Sequence, residues 1–143
     1  MDELLKTIFL VDDDALFLKS IEIEFAHMGG YLVRTFQTGE ECLKSLEVCP
    51  DIIILDYHLN GINKAAMNGI MVLDKVKSVC PASLVIMLSS QDKIEVAVDC
   101  MHHYALDYVV KSPTAFLRLH KIIGDNSRYK KLEKTVDWYK ERI

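Results

Sequence analysis

Five short, largely apolar runs, each leading into polar residues, constrain this chain more than any other feature. They are TIFLV (7–11), YLVRTF (31–36), DIIIL (51–55), SLVIML (83–88) and DYVV (107–110). Between them, apolar residues recur at helical spacing. Ala15, Leu18, Ile21, Phe25 and Met28 form one stripe; Cys42, Leu43 and Leu46 a second; Ile70, Leu73 and Val76 a third; Ile94, Ala97, Val98 and Met101 a fourth. Residues 113–124 supply a fifth helix. Runs this apolar must be covered on both faces, so the alternation predicts an α/β fold: a doubly wound, five-stranded parallel sheet between two layers of helices. A length of 143 residues fits one domain,.

The residues just past each run carry the candidate chemistry. The first run leads into Asp12, Asp13 and Asp14, the third into Asp56, the fourth into Ser89 and Ser90, and the fifth into Lys111. In a parallel sheet these carboxyl ends share one edge, where open α/β folds bind ligands. Acids, hydroxyls and an ammonium distant in sequence are therefore expected to converge. Two unit charges about 4 Å apart interact by roughly 4 kcal/mol at an effective dielectric of 20. Clustered acids must then take up protons or hold a cation. An oxygen-only set with few ligands suits Mg²⁺, which keeps several waters. An ammonium and a hydroxyl beside it would serve a phosphoryl group, and a carboxylate can itself be the nucleophile.

In joint order and spacing, the blocks VDDD, IIILD, IMLSS and DYVVK resemble the receiver domain of two-component response regulators over residues 7–124. The resemblance implies a flavodoxin-like sheet of order 2-1-3-4-5. It implies Asp56 as phosphoacceptor, with Asp12, Asp13, Asp56 and the backbone carbonyl of His58 around Mg²⁺. Ser89 would bond the phosphoryl group, Lys111 would pair with it, and Tyr108 would be an aromatic switch. His58 and Gln91 would flank the path of the water that removes the phosphate, with the His58 imidazole exposed. Asp14 is read instead as a helix-start acid favoured by the helix dipole. The implied partners are a sensor histidine kinase or phosphotransfer protein and an unidentified downstream protein. The implied activity is self-phosphorylation and self-dephosphorylation rather than enzymatic turnover. The alternatives are a small phosphohydrolase with Asp12 and Asp14 as nucleophile and acid, and a receiver-like binding module that takes no phosphate.

Three departures from the family pattern stand out. The loop after the acceptor, 57–68, is about five residues long in excess and has Asn60 where proline is usual. Lys111 is followed by Ser112 before Pro113, where a cis bond would cost about 2.5–4 kcal/mol. Tyr104 stands where a glycine usually ends the fourth helix. Beyond the receiver (1–124), residues 125–143 read as a C-terminal amphipathic helical extension. In it Tyr129, Leu132, Val136, Tyr139 and Ile143 are spaced 3, 4, 3 and 4, a short heptad seam,. It would dock as a sixth helix on its own domain, stand exposed, or pair two chains as a homodimer. It reads as too short for a DNA-binding or enzymatic output domain.

A formal charge of −4 argues against nucleic acid as a partner,. No apolar run approaches the roughly 18 residues of a membrane span, and the acidic start MDELLKT does not resemble a signal peptide,. Cys42, Cys49, Cys80 and Cys100 form no C-x-x-C pair and are read as buried reduced thiols. These features together predict a cytoplasmic protein.

Overall fold

The computed structural model describes residues 5–142. Five strands alternate with five helices: β1 (Lys6–Val11), α1 (Ala15–Met28), β2 (Tyr31–Phe36), α2 (Gly39–Leu43), β3 (Ile52–Asp56), α3 (Gly69–Val79), β4 (Leu84–Ser89), α4 (Ile94–His102), β5 (Asp107–Val110) and α5 (Ala115–Arg142). The strands are parallel, in the order β2-β1-β3-β4-β5. This is the doubly wound sheet the alternation predicts.

Successive strand residues face opposite sides, and the core divides accordingly. Phe9, Val11, Ile53, Leu55 and Met87 pack with Val72, Leu73 and Val76 of α3 and with Val96 and Cys100 of α4. Ile8, Leu10, Ile54 and Ile86 pack with Leu18, Ile21 and Phe25 of α1 and with Leu119 and Ile123 of α5. The register pairs Val11 with Leu55, Asp56 with Leu88, and Ser89 with Val110. Asp12, Asp56, Ser89 and Lys111 are thereby brought to one edge of the sheet.

Four expectations need correction. On α4, the stripe Ile94, Val98 and Met101 is exposed, while Val96 and Cys100 are buried. Two overlapping apolar stripes exist on this helix, and contact with β5 selects the other one. The extension is not a sixth helix: α5 runs unbroken through Gly124 to Arg142. Nothing in GDNS stops it, because Gly124 lies in open space and one glycine costs a helix only about 1 kcal/mol,. Tyr129, Leu132, Val136 and Tyr139 are exposed on that extension; Ile143 lies outside the described residues. The cysteines are not all thiols: Cys49 and Cys80 are disulfide-bonded, with Cα atoms 5.7 Å apart, and only Cys42 and Cys100 are free and buried. Cysteine usage therefore does not point to the cytoplasm.

The departures from the family pattern also resolve. No cis peptide occurs among the described residues, so Lys111–Ser112 is trans. Tyr104 adopts φ +70°. It keeps the left-handed helix ending that glycine would supply, at roughly 1–2 kcal/mol.

Candidate functional site

β1 leads into Asp12, whose N–H donates to the Phe36 carbonyl of β2 at 3.0 Å. The carboxylate is fully buried, and its Oδ1 accepts the Asp14 N–H at 2.9 Å. Asp14 then caps α1, with Oδ1 accepting the Leu16 and Phe17 N–H groups at 3.1 Å each. The carboxylate of Asp14 thus serves its own helix, as expected. β3 delivers Asp56, also buried. Carboxylate oxygens of Asp12, Asp13 and Asp56 lie within 4.8 Å of one another.

Lys111 reaches this cluster from the end of β5. Its Nζ stands 2.7 Å from Asp12 Oδ2 and 3.6 Å from Asp56 Oδ2, and 4.9 Å from the centre of the Phe17 ring. Burial opposes the charge on Lys111, but contact with Asp12 and the fields of Asp56, Asp12 and Asp14 outweigh it and raise the pKa. Asp56 moves the other way from an ordinary carboxyl. Burial first, then repulsion by Asp12, push it up to about 7, against the pull of Lys111 and the His58 N–H. One ammonium does not balance three acids.

This donor set fits a divalent cation. Asp12 Oδ2 is buried and lacks a well-aligned hydrogen bond, although the Lys111 charge lies beside it. All the donors are hard oxygens, the chemistry Mg²⁺ prefers.

Ser89 and Tyr108 meet at one backbone unit. Ser89 Oγ accepts the Gln91 N–H at 3.0 Å, and the Tyr108 hydroxyl donates to the Gln91 carbonyl. Tyr108 is half-buried. The Lys111 N–H donates to the Ser89 carbonyl at 2.8 Å, tying the ammonium-bearing loop to the hydroxyl-bearing one.

His58 departs from expectation. Its imidazole is half-buried, edge-on to the Tyr57 ring at 4.8 Å, with Nε2 buried and unpartnered. The long loop folds onto the acids rather than away from them. The Ile62 N–H donates to Asp13 Oδ2 at 3.2 Å, and the Met67 N–H to Glu40 Oε2 at 3.2 Å. A β-carbon at Gly61 would stand 3.3 Å from Asp13 Oδ2 and 3.5 Å from the His58 carbonyl oxygen. The loop therefore approaches two of the expected ligands closely.

Sequence reasoning missed three contributors. Phe17 lies under Lys111. Tyr57 donates its hydroxyl to Asp99 of α4 at 3.0 Å. Gly69 begins α3 so close to β3 that a β-carbon would meet the Asp56 carbonyl at 2.4 Å. Only Gly69 left a legible trace, as the glycine after Asn68, which caps α3 by accepting the Met71 N–H,.

Fold and site together define a receiver domain of the two-component type. The chain belongs to the response regulator receiver domain family, whose model matches residues 8–123. It is 31% identical over 106 residues to the transcriptional regulatory protein AfsQ1 of Streptomyces coelicolor, covering 73% of this chain and 44% of that one. It is 29% identical over 105 residues to the transcriptional regulatory protein ZraR of Escherichia coli, covering 73% of this chain and 22% of that one. The chain thus spans less than half the length of these two curated relatives. Among solved structures, it resembles a CheY-like response regulator receiver domain protein from Methanospirillum hungatei, with a TM-score of 0.77 and 26% identity, covering 90% of this chain and 98% of that one. It also resembles the BeF3-activated DrrB receiver domain, with a TM-score of 0.70 and 26% identity, covering 85% and 99%.

Proposed function

We propose that Asp56 accepts a phosphoryl group from a histidine of a sensor kinase or phosphotransfer protein, with Mg²⁺ required. The observation that carries this reading is the buried Asp56 carboxylate, grouped with Asp12 and Asp13 and facing Lys111 at 3.6 Å. A carboxylate oxygen of Asp56 attacks phosphorus; the bond to the donor nitrogen breaks, and that nitrogen keeps the electron pair. Mg²⁺, when held by Asp12, Asp13, Asp56 and the His58 carbonyl, supplies charge neutralisation at the phosphoryl oxygens.

The chain's own groups do the rest. Lys111, already protonated, pairs with a phosphoryl oxygen. Ser89 Oγ is engaged as an acceptor from Gln91, which leaves its hydroxyl proton to donate. Drawing Ser89 toward the phosphoryl group pulls the Gln91 backbone and, through the Tyr108 hydroxyl, the ring of Tyr108. The charge gained at Asp56 thus biases the loop leading into α4. The exposed stripe Ile94, Val98 and Met101 lies beyond that loop and is the face we assign to the downstream protein. The output is docking or onward relay rather than enzymatic turnover. His58 and Gln91 flank the path of the hydrolytic water.

The test is incubation with acetyl phosphate and Mg²⁺, followed by mass mapping, with beryllofluoride binding as a second readout. Label on Asp56 is expected, and none in D56N. Label on Asp12 would reverse the assignment. Absence of both label and beryllofluoride binding would leave a binding module.

For the extension, the occupant we assign is a second copy. Taking Tyr129, Leu132, Val136 and Tyr139 as the seam, Arg128 falls at a g position and Glu133 at the facing e position of a parallel pair, where opposite charges attract. Sedimentation of Leu132→Asp would find a monomer under conditions where the unmodified chain is dimeric; an unchanged balance refutes the pairing.

A further inference from the structure

We propose that Cys49 and Cys80 form a thiol–disulfide modification site, opened by a dithiol and closed by a disulfide of the same class, which sets the stability of the fold that presents Asp56. Such a site does not depend on phosphorylation of Asp56. The pair lies at the opposite edge of the sheet from the acids. Cys49 is exposed in the turn between α2 and β3. Cys80 is buried and ends α3, its N–H donating to the Val76 carbonyl at 2.7 Å. The bond joins positions 31 residues apart. β3 with Asp56, the loop 57–68 and all of α3 lie between them.

Accessibility is asymmetric, and that gives the exchange a direction. Cys49 borders an open cleft of about 190 Å³ lined also by Lys6, Lys130, Asp51 and Ser83. The two ammonium groups on its lining outnumber the one carboxylate, Asp51, so the cleft carries a net positive charge that favours entry of an anionic thiolate,. The incoming thiolate bonds to Cys49 Sγ, the Cys49–Cys80 bond breaks, and Cys80 leaves as thiolate and takes a proton. The second thiol of the dithiol then attacks the mixed disulfide and releases Cys49. The protein gains two electrons and two protons, and the dithiol becomes a disulfide. The other two cysteines do not compete. Cys42 and Cys100 are fully buried, and burial raises their thiols to about 12 and about 11.

A cross-link acts mainly by limiting the unfolded chain, so its loss lowers stability without touching the acids. The full chain, oxidised with a glutathione disulfide buffer, would be denatured and alkylated without reductant. Two of its four cysteines should react, with a Cys49–Cys80 peptide link. Dithiothreitol added to the native chain should expose both and lower Tm by roughly 10 °C. Cys49→Ser should show the lower Tm in either buffer, and Cys42→Ser should retain the shift. The proposal is overturned by four reactive thiols after oxidation, by equal Tm in the two states, or by a bond that dithiothreitol opens only after unfolding.

Discussion

At the carboxyl edge of the sheet three aspartates face one lysine; at the amino edge a carboxylate, a hydroxyl and an ammonium all end in hydrogen bonds. There Asp51 Oδ2 accepts the Thr7 N–H at 2.8 Å, Ser83 Oγ donates to the Pro50 carbonyl at 2.6 Å, and Lys77 Nζ donates to the Ser83 carbonyl at 2.9 Å. The disulfide closes the same end. Both edges belong to the same strands, so fold alone does not set the difference. One edge keeps unbalanced charge available for a ligand, at a cost in stability. The other satisfies its groups and holds the strands that present the first.

The contrast between the edges can be broken most visibly at Asp56. Its carboxyl rises from 3.8 to about 7 in the folded chain, so between those values the folded state binds more protons than the unfolded one. Stability therefore falls as pH rises through that window and stays low above it. Asp56→Asn removes the ionisation. In chelator at about pH 8 it should stabilise the chain by as much as about 4 kcal/mol, and near pH 4 hardly at all. Denaturant melts at the two pH values measure this; equal stability of variant and unmodified chain at the higher pH would mean the carboxyl edge holds no such tension.

The amino edge should respond in the opposite sense. Ser83→Ala leaves the Pro50 carbonyl without its hydroxyl donor and should cost about 1–3 kcal/mol. Calorimetric titration with Mg²⁺ should find the cation affinity unchanged. A comparable loss of affinity would show that the two edges are not separable.

Much of this division was legible in the sequence, because strand period and strand-end polarity are local signals. The runs gave the five strands and, with them, the convergence of Asp12, Asp56, Ser89 and Lys111. The helices were less legible where two apolar stripes compete, as on α4, since contact with β5 decides between them. Residues 124–127 looked like a helix end because glycine and asparagine usually mark one, but propagation of α5 outweighs a single weak position. The Cys49–Cys80 pairing was invisible, because nothing local brings the α2–β3 turn to the end of α3. The closure of loop 57–68 on Asp13 was equally hidden: backbone N–H groups carry no sequence signature.

A smaller strain sits in the turn from α4 into β5, at Tyr104. Its side chain is 79% exposed and its φ is +70°, so little packing offsets the backbone cost. Tyr104→Gly should stabilise the chain by up to about 1 kcal/mol, part of the relief being lost to the freer unfolded glycine. A decrease in stability by chemical denaturation would mean the ring contributes contacts beyond those of an exposed residue.

The smallest effect belongs to His103, which joins two helices next to that strained turn. Its Nδ1 lies 2.7 Å from Asp74 Oδ1 on α3, and its Nε2 lies 3.6 Å from Asp99 Oδ1 on α4. The hydrogen bond to Asp74 chiefly raises its pKa above 6.5, with burial opposing and the charges of Asp74 and Asp99 adding. A raised histidine stabilises the fold fully below its unfolded value, and the contribution fades as pH rises through the folded value. The Tm difference between the unmodified chain and His103→Gln should therefore be present near about pH 5.5 and absent by about pH 9. Asp99 also receives the Tyr57 hydroxyl, so this ion pair shares an acceptor with the residue after Asp56. Proton NMR of the His103 ring should show its titration move down in Asp74→Asn. If the titration stays in place, the pairing with Asp74 does not hold α3 to α4 in solution, and the helices owe their placement to the buried Val96 and Cys100 instead.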